Sequence, residues 1–271
     1  MADGHGEDAV LPSIDETVPH SARIWNYWLG GRDNYAVDRV VGDGIRRVNP
    51  EIVEIAVAQR AFLCRAVRHL AAEAGVRQFL DIGTGLPTVD NTHEVAQRAA
   101  PEARVVYVDN DPLVLVHARA LLTSTPEGAT RYLYADARDT GAILDGASQT
   151  LDLSEPVALM LLGVTGHITD DQEAQALVTR LMDGLSPGSH LVLCDDTEVV
   201  NPRAMRRMIE EWNATGDSPR VNRTPDQLAR FFDGLELLDP GLLSISHWRP
   251  DPDLPGTPAE VDDFGGVARK P

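Results

Sequence analysis

Short apolar runs alternate with longer amphipathic segments from residue 76 to the end of the chain. A run with no polar interruption, such as Pro156 to Leu162, is typical of a strand that a parallel sheet buries on both faces. The amphipathic segments have the spacing of helices that pack on such a sheet. Seven strands are predicted, and they end at Ile82, Val108, Tyr134, Leu162, Cys194, Trp248 and Arg269. The pattern therefore predicts an α/β domain with a seven-stranded, mostly parallel sheet and helices on both faces.

The chain before this domain has a different pattern. Residues 1–19 are rich in Gly, Asp, Glu and Pro and show no periodicity, which predicts a mobile arm. Residues 20–75 predict helices, with a short one capped by Ser21 and a long one that begins near Pro50. We therefore divide the chain into an arm, a helical region and a sheet domain that covers residues 76–271.

The first predicted strand ends in a glycine turn. Asp81 lies near the end of this strand, and Gly83, Thr84 and Gly85 follow it. Glycine lets the backbone turn sharply and lets a ligand approach where a Cβ would block it. After a buried strand, such a turn is typical of a nucleotide pocket, with a purely structural turn as the alternative. We assign Asp81, Gly83, Thr84 and Gly85 to a cofactor loop, with Asp81 holding the loop and, through it or through water, an ammonium group.

The next two strands also end in acidic residues. Asp109 follows the second strand, and its carboxylate can accept hydrogen bonds from both hydroxyls of a ribose. Asn110 and Asp111 either flank an adenine or cap the helix that follows. Asp136 and Ala137 follow the third strand, where the carboxylate can accept a hydrogen bond from the exocyclic amine of adenine. Three strand ends therefore carry groups that suit an adenine nucleoside.

The charges of this pocket favour a cationic nucleoside over a dinucleotide. The dinucleotide fingerprint needs a third glycine three residues after Gly85, and this chain has Thr88 there. The acids at the strand ends would also repel a polyanion, whereas S-adenosylmethionine carries a sulfonium and an ammonium against one carboxylate. We therefore predict S-adenosylmethionine as the cofactor, with S-adenosylhomocysteine as the product, ahead of NAD.

The bulk composition excludes several classes of protein. The chain has 271 residues and a formal net charge of -18, which argues against a nucleic-acid partner, since phosphate binding needs a basic stripe. No apolar run approaches the roughly 20 residues of a membrane span, and no signal peptide is visible, so no membrane partner and a cytoplasmic location are predicted. Cys64 and Cys194 have no second thiol or histidine at metal-ligand spacing, so no metal is predicted.

Several blocks of sequence occur together along almost the whole chain. They are Ser21 to Tyr35, which contains Leu29-Gly30-Gly31-Arg32-Asp33-Asn34-Tyr35, then Gln78 to Pro87, Val105 to Pro112, Arg230 to Glu236, Pro240-Gly241 and Trp248 to Pro250. In this combination the chain resembles an actinobacterial S-adenosylmethionine-dependent methyltransferase family first known as a domain of unknown function. The resemblance implies a class I methyltransferase, Rossmann-like fold with bound S-adenosylmethionine, and an N-terminal helical lid (residues 20–75) over the cofactor mouth. For most members of the family the methyl acceptor is not defined.

The chain departs from this family at two places on the substrate side of such folds. Gly166-His167-Ile168 stands where relatives usually have Leu-His-Phe, and Cys194-Asp195-Asp196-Thr197 stands where they often have His-Ala-Thr. The methyl acceptor is therefore expected to differ from the family norm.

The segment from Leu162 to His167 is expected to face the methyl group. His167 is the candidate general base, because an imidazole near its usual pKa can accept a proton, and the alternative is a cap for the helix from Asp170. On the long helix, Arg60 is a candidate for the methionine carboxylate, with a surface salt bridge as the alternative.

The lid block combines aromatic side chains with a glycine hinge. We assign Tyr27, Arg32, Asn34 and Tyr35 to the substrate pocket, because aromatic faces attract cations. Trp25 and Trp28, three residues apart, are instead predicted to form one packed helix face.

Together these features predict a cytoplasmic S-adenosylmethionine-dependent methyltransferase. It would act on an O, N or C nucleophile of a small molecule, for which secondary metabolism is one setting. The alternatives are a non-catalytic S-adenosylmethionine-binding protein and, less favoured, an NAD-linked oxidoreductase. The sequence does not indicate the oligomeric state.

Overall fold

The computed structural model describes residues 14–121, 123–215, 218–253 and 256–271. Most of the predicted arm, residues 1–13, therefore lies outside the described residues. The α-helices are α1 (Ser21–Trp28), α2 (Ala36–Val48), α3 (Ile52–Ala72), α4 (Thr92–Ala99), α5 (Pro112–Leu121), α6 (Thr140–Ala147), α7 (Asp171–Asp183), α8 (Pro202–Thr215) and α9 (Pro225–Ala229). The strands are β1 (Gln78–Ile82), β2 (Arg104–Asp109), β3 (Ala129–Tyr134), β4 (Ala158–Leu162), β5 (His190–Asp196), β6 (Glu236–Leu237), β7 (Leu243–Ser244) and β8 (Asp263–Arg269).

The strands form one mostly parallel sheet. Its order is β3-β2-β1-β4-β5-β8-β6, and β7 pairs with β8 beside this path. The first five strands are parallel, whereas β8 runs antiparallel to β5. This arrangement confirms the predicted α/β fold with its reversed final strand.

The end of the sheet differs in detail from the prediction. The segment predicted as a strand up to Trp248 is extended only over Leu243–Ser244 and then turns into a 3₁₀-helix, Ile245–His247. The strand β6 was not predicted, because two residues are too few to give an alternating pattern. The sheet therefore has eight strands, two of which are very short.

Side chains of the central strands alternate between two apolar layers. Leu80 and Leu159 pack with α7 on one face, whereas Phe79 and Met160 pack with α3 on the other. Both faces are covered, as expected of parallel strands with no polar interruption. The carboxyl ends of the strands are thereby held at one edge of a rigid sheet.

The predicted helical lid has two parts. The helices α1 and α2, with the turn between them, form a hairpin (the α1–α2 hairpin, residues 21–48) that packs on α8 through Trp28, Ile45 and Trp212. In contrast, α3 packs on the sheet itself. The cap of α1 is His20, whose side chain accepts a hydrogen bond from the Ala22 N–H, and not Ser21.

No helix in the described part of the chain combines the length and the apolar character needed to cross a membrane.

Candidate active site

A cleft of about 210 Å³ lies at the carboxyl ends of β1 to β4. The turn after β1 and the ends of β2, β3 and β4 form its floor, and α1 and α3 form the opposite wall. The cleft brings together most of the sequence-predicted residues: Arg60, Asp81, Gly83, Thr84, Gly85, Asp109, Asn110, Asp136, Ala137, Leu162 and His167.

Asp109 connects the second strand to the glycine turn. Its Oδ2 accepts a hydrogen bond from the Gly85 N–H at 2.8 Å, and its Oδ1 accepts one from the Asp111 N–H at 2.9 Å. Burial raises the pKa of Asp109, while these two N–H groups act in the opposite direction. Because each carboxylate oxygen has two lone pairs, Asp109 can hold the turn and still accept bonds from a ligand.

Asp81 lies beneath the same turn. Its Oδ2 accepts a hydrogen bond from the Thr92 hydroxyl at 2.6 Å, and burial raises the pKa of Asp81 to about 6. The turn above it needs glycine, because Gly83 has a φ of +69° and a Cβ there would lie 2.5 Å from a methyl carbon of Val164. The turn is therefore packed tightly between Asp81 and the segment after β4.

The β3 end of the cleft is more open. The side chain of Asp136 is about half exposed and lies 3.4 Å from Arg138, whose guanidinium also donates to the His167 carbonyl at 3.0 Å. Arg60, on α3, donates to the Asp90 carbonyl at 2.9 Å and so holds the loop after the glycine turn while it lines the cleft.

Asp111 does not line the cleft. It is fully buried, and its carboxylate forms a bidentate ion pair with Arg23 of α1, with distances of 2.9 and 3.0 Å. It also accepts a hydrogen bond from the Leu113 N–H in the first turn of α5. These contacts match the alternative in which Asp111 caps this helix. Asp111 thus joins α1 to the loop after β2.

His167 lies on a 3₁₀-helix, Thr165–His167, directly after β4. Its Nδ1 is 3.0 Å from the Ser218 hydroxyl, and its ring meets the Trp212 ring edge-on. Burial, with a smaller effect of Arg220, holds the pKa of His167 well below its usual value, so the imidazole is neutral at pH 7. The cap of α7 is Asp170, which accepts the Glu173 N–H at 2.8 Å.

The segment Gly166-His167-Ile168 and the end of β5, expected from the sequence to depart from the family pattern, contact each other. Asp195 accepts hydrogen bonds from the Thr165 hydroxyl at 2.7 Å and from the Gly166 N–H. A Cβ at Gly166 would lie 2.7 Å from Asp195, so a larger residue there would collide with this carboxylate. Asp195 and Gly166 therefore pack as one unit that fixes the turn carrying His167.

The structure does not bring Tyr27, Arg32, Asn34 or Tyr35 to the cleft. The Tyr27 hydroxyl donates to Asp43, and Arg32 is exposed to solvent. Asn34 donates to Asn26 Oδ1, and Tyr35 stacks under Arg23 and precedes α2. These contacts fold the turn of the α1–α2 hairpin, so this motif positions α1 at the cleft.

Sequence reasoning missed several residues of the wall. They are Asn26 of α1, Leu29 directly after it, Gln59 and Leu63 of α3, and Ser218. Trp25, predicted as part of a packed face, also lines the cleft. The spacing of Trp25 and Leu29 by four residues is the signal that could have identified the α1 face. Ser218 follows α8 and carries no local signal.

With this geometry in place, the chain can be compared with known proteins. Residues 7–271 match the model of the S-adenosyl methyltransferase family. The chain belongs to this family. A DUF574-family protein from Streptomyces avermitilis is 44% identical, covers 96% of this chain and 100% of its own, and superposes with a TM-score of 0.91. A protein from Thermobifida fusca that is proposed to be a methyltransferase is 38% identical over 97% of this chain and 99% of its own, with a TM-score of 0.87.

More distant structures share the fold alone. A S-adenosylmethionine-dependent methyltransferase from Anabaena variabilis is 16% identical, covers 96% of this chain and 99% of its own, and has a TM-score of 0.53. A search of curated proteins finds no match.

Family membership makes the protein a S-adenosylmethionine-dependent methyltransferase and sets aside the NAD-linked alternative. The residues of the cleft suit this cofactor, because three carboxylates stand at adjacent strand ends around a glycine turn with room for a ligand. A nucleoside with two positive centres complements such a set of carboxylates.

Proposed function

We propose that this methyltransferase acts on an O, N or C nucleophile of a small molecule that binds beside His167. The observation that carries the proposal is the course of the cleft, which runs from Asp136 past Asp109 and Leu162 to His167 beneath α1. A small acceptor suits a site of about 210 Å³ that a helix covers. The net charge of -18 supports the same choice, since it disfavours nucleic acid.

The residues at the strand ends are proposed to hold the donor along its length. Asp136 and Ala137 would contact the adenine, and Asp109 would accept hydrogen bonds from the ribose hydroxyls. Asp81 would attract the ammonium group of the donor, which would lie between the glycine turn and Leu162 at the end of β4. Arg60 would pair with the carboxylate of the donor. When bound, S-adenosylmethionine supplies a methyl group attached to a positively charged sulfur.

His167 is proposed to take the proton of the acceptor. Its lowered pKa keeps the ring neutral, which a base requires. If Nδ1 donates its hydrogen to the Ser218 hydroxyl, Nε2 keeps the lone pair that accepts the proton. Asp195 and Arg223 hold the turn beneath it, because Arg223 donates to the carbonyls of Thr165 and Ile168 at 2.7 and 2.6 Å.

The wall formed by α1 and α3 is proposed to orient the acceptor and exclude water. Trp25, Leu29 and Leu63 present apolar surface to the cleft. A dry, positioned pocket accelerates displacement reactions, since the reacting atoms are held at close range.

Transfer of labelled methyl groups tests this proposal. The purified protein is incubated with methyl-labelled S-adenosylmethionine and fractionated metabolites, and label is followed in small-molecule and macromolecular fractions. We expect label in a small-molecule fraction with the wild type and a strong loss with Asp109→Ala. Label found only in protein or nucleic acid would contradict a small-molecule acceptor.

A further inference from the structure

Gln59 of α3 presents a hydrogen-bond acceptor to the cleft. Its Nε2 donates to Asp263 Oδ2 at 2.9 Å, and this bond fixes which end of the amide faces the carboxylate. Asp263 Oδ2 also lies 3.7 Å from the Cys194 thiol, so this oxygen is the accepting one. Among the described residues, no group donates a hydrogen bond to Gln59 Oε1. Gln59 lines the cleft, so this carbonyl oxygen is available to a ligand.

Gln59 lies at the end of the cleft opposite to the adenine position. A Cβ on Gly163, directly after β4, would lie 3.1 Å from Gln59 Nε2, which places the amide against the end of that strand. The sheet order β3-β2-β1-β4 puts Asp136, Asp109 and the glycine turn in sequence before it. A donor with its adenine at β3 and its ribose at β2 therefore extends its amino-acid end toward Gln59.

A buried group of acids stands behind Gln59. Asp263 faces Asp196 across the β5–β8 pair, both are fully buried, and Asp195 is the next residue along β5. Arg220 contacts Asp195 and Asp196, at 3.3 and 2.9 Å. Asp263 Oδ1 and Asp196 Oδ1 have no hydrogen-bond partner within the described part of the chain, and Asp196 Oδ2 meets only the Arg220 guanidinium. Burial and the neighbouring acids raise the pKa of Asp263 well above its usual value, and burial raises the pKa of Asp196 to about 6, so this group is at most partly ionised beside Arg220.

We propose that Gln59, oriented by Asp263, accepts a hydrogen bond from the ammonium group at the amino-acid end of S-adenosylmethionine. This inference rests on the proposed binding of the donor along the strand ends. In this arrangement Gln59 supplies a hydrogen bond to the ammonium, and Asp81, which also lines the cleft, attracts the same group by its charge. Asp263 is a positioning residue, because it touches Gln59 and does not line the cleft.

Calorimetry with two ligands tests the role of Gln59. S-adenosylhomocysteine carries the ammonium, whereas 5′-methylthioadenosine has the same adenosine and a thioether but no amino-acid end. Gln59→Leu should weaken S-adenosylhomocysteine binding by about tenfold, the effect of one lost bond to a charged group, and should leave methylthioadenosine binding unchanged. Gln175→Leu, which removes an exposed amide on α7, is the matched control and should change neither affinity.

Asp263 is tested through the ratio of the two affinities. Asp263→Ala should lower the preference for S-adenosylhomocysteine, and Asp263→Asn should restore it, because the amide oxygen still accepts from Gln59 Nε2. Circular dichroism checks that each variant is folded.

The outcomes separate this inference from the proposed function. Equal weakening of both ligands by Gln59→Leu, or no change in either, would overturn the role of Gln59 while leaving the donor site intact. If the wild type binds neither ligand, the proposed donor site itself is contradicted.

Discussion

At the scale of single residues, burial raises the pKa of Asp81, which lines the donor site, to about 6. Above pH 6 the ionised carboxylate attracts the ammonium of the donor, and below pH 6 its protonated form does not. We expect the dissociation constant of S-adenosylhomocysteine to increase by up to about tenfold per pH unit below 6. Calorimetry from pH 5 to 8 measures this effect. Methylthioadenosine, which has no ammonium, should show a flat profile, and an equal slope for both ligands would argue against Asp81.

The same raised pKa predicts a cost in stability. The folded protein binds the Asp81 proton more tightly than the unfolded chain, so stability is lost as the pH rises from about 4 to about 6. Asp81→Asn, which resembles the protonated form, should therefore be more stable than the wild type at pH 7, by about 2 to 3 kcal/mol. Urea unfolding at pH 7 measures this difference, and a less stable variant would contradict it.

Asp109 is expected to contribute to binding of the nucleoside part of the donor. Asp109→Ala should weaken both S-adenosylhomocysteine and methylthioadenosine by about 2 to 3 kcal/mol, the scale of lost hydrogen bonds to a charged group. Because Asp109 also accepts the Gly85 and Asp111 N–H groups, Asp109→Asn is the control that keeps part of this local structure. Unchanged affinity in a folded Asp109→Ala protein would refute the assignment.

His167 is expected to act in the chemical step. His167→Ala should lower the rate of methyl transfer by about 10² to 10⁴ with little change in donor affinity. Since the pKa of His167 is lowered, the acid limb of the rate profile should lie below pH 6.5. Single-turnover kinetics with an identified acceptor measure both quantities. A stable His167→Ala variant with full turnover would show that His167 is not the base, and that Trp25 and Leu29 promote methyl transfer by positioning the acceptor.

At the scale of elements, the position of α1 depends on the ion pair between Arg23 and Asp111. Both side chains are buried, so removing one partner leaves an uncompensated charge. Arg23→Met and Asp111→Asn should each destabilise the protein by about 3 to 5 kcal/mol, and the double variant should lose much less than the sum. Chemical unfolding of the four proteins gives the coupling energy. Additive losses would show that the pair does not hold α1.

The sequence was informative about elements whose pattern is local. The strands β1 to β5 follow from their apolar runs, and the acids at their ends meet in the cleft because parallel strands end at one edge. The contacts that place α1 and His167 are not local: Arg23 and Asp111 are 88 residues apart, and Gly166 and Asp195 are 29 apart. The periodicity of hydrophobic residues carries no information about pairs that are so far apart in the sequence. For the same reason, Tyr27, Arg32, Asn34 and Tyr35 were assigned to the substrate pocket, whereas the hydrogen bonds of Asn34 to Asn26 and to the Gly31 carbonyl fold the turn behind α1.

At the scale of the whole molecule, the fold and the family both indicate S-adenosylmethionine as the methyl donor. The cleft along the strand ends is one continuous space in which this donor can bind. The order of the strands sets the order of the proposed contacts, with adenine expected at β3, ribose at β2 and the amino-acid end at β4. The helix α1 covers the cleft from the other side, and α2 holds α1 in place. The donor and the acceptor are therefore expected to share α1 as a common wall.

A crystal structure of the protein with S-adenosylhomocysteine tests this account most directly. We expect electron density for the adenine beside Asp136, the ribose hydroxyls within hydrogen-bond distance of Asp109, and the amino group beside Gln59. The sulfur should face the side of the cleft that carries His167. A ligand bound outside this cleft, or one that lies in the cleft with its ribose away from Asp109, would contradict the account.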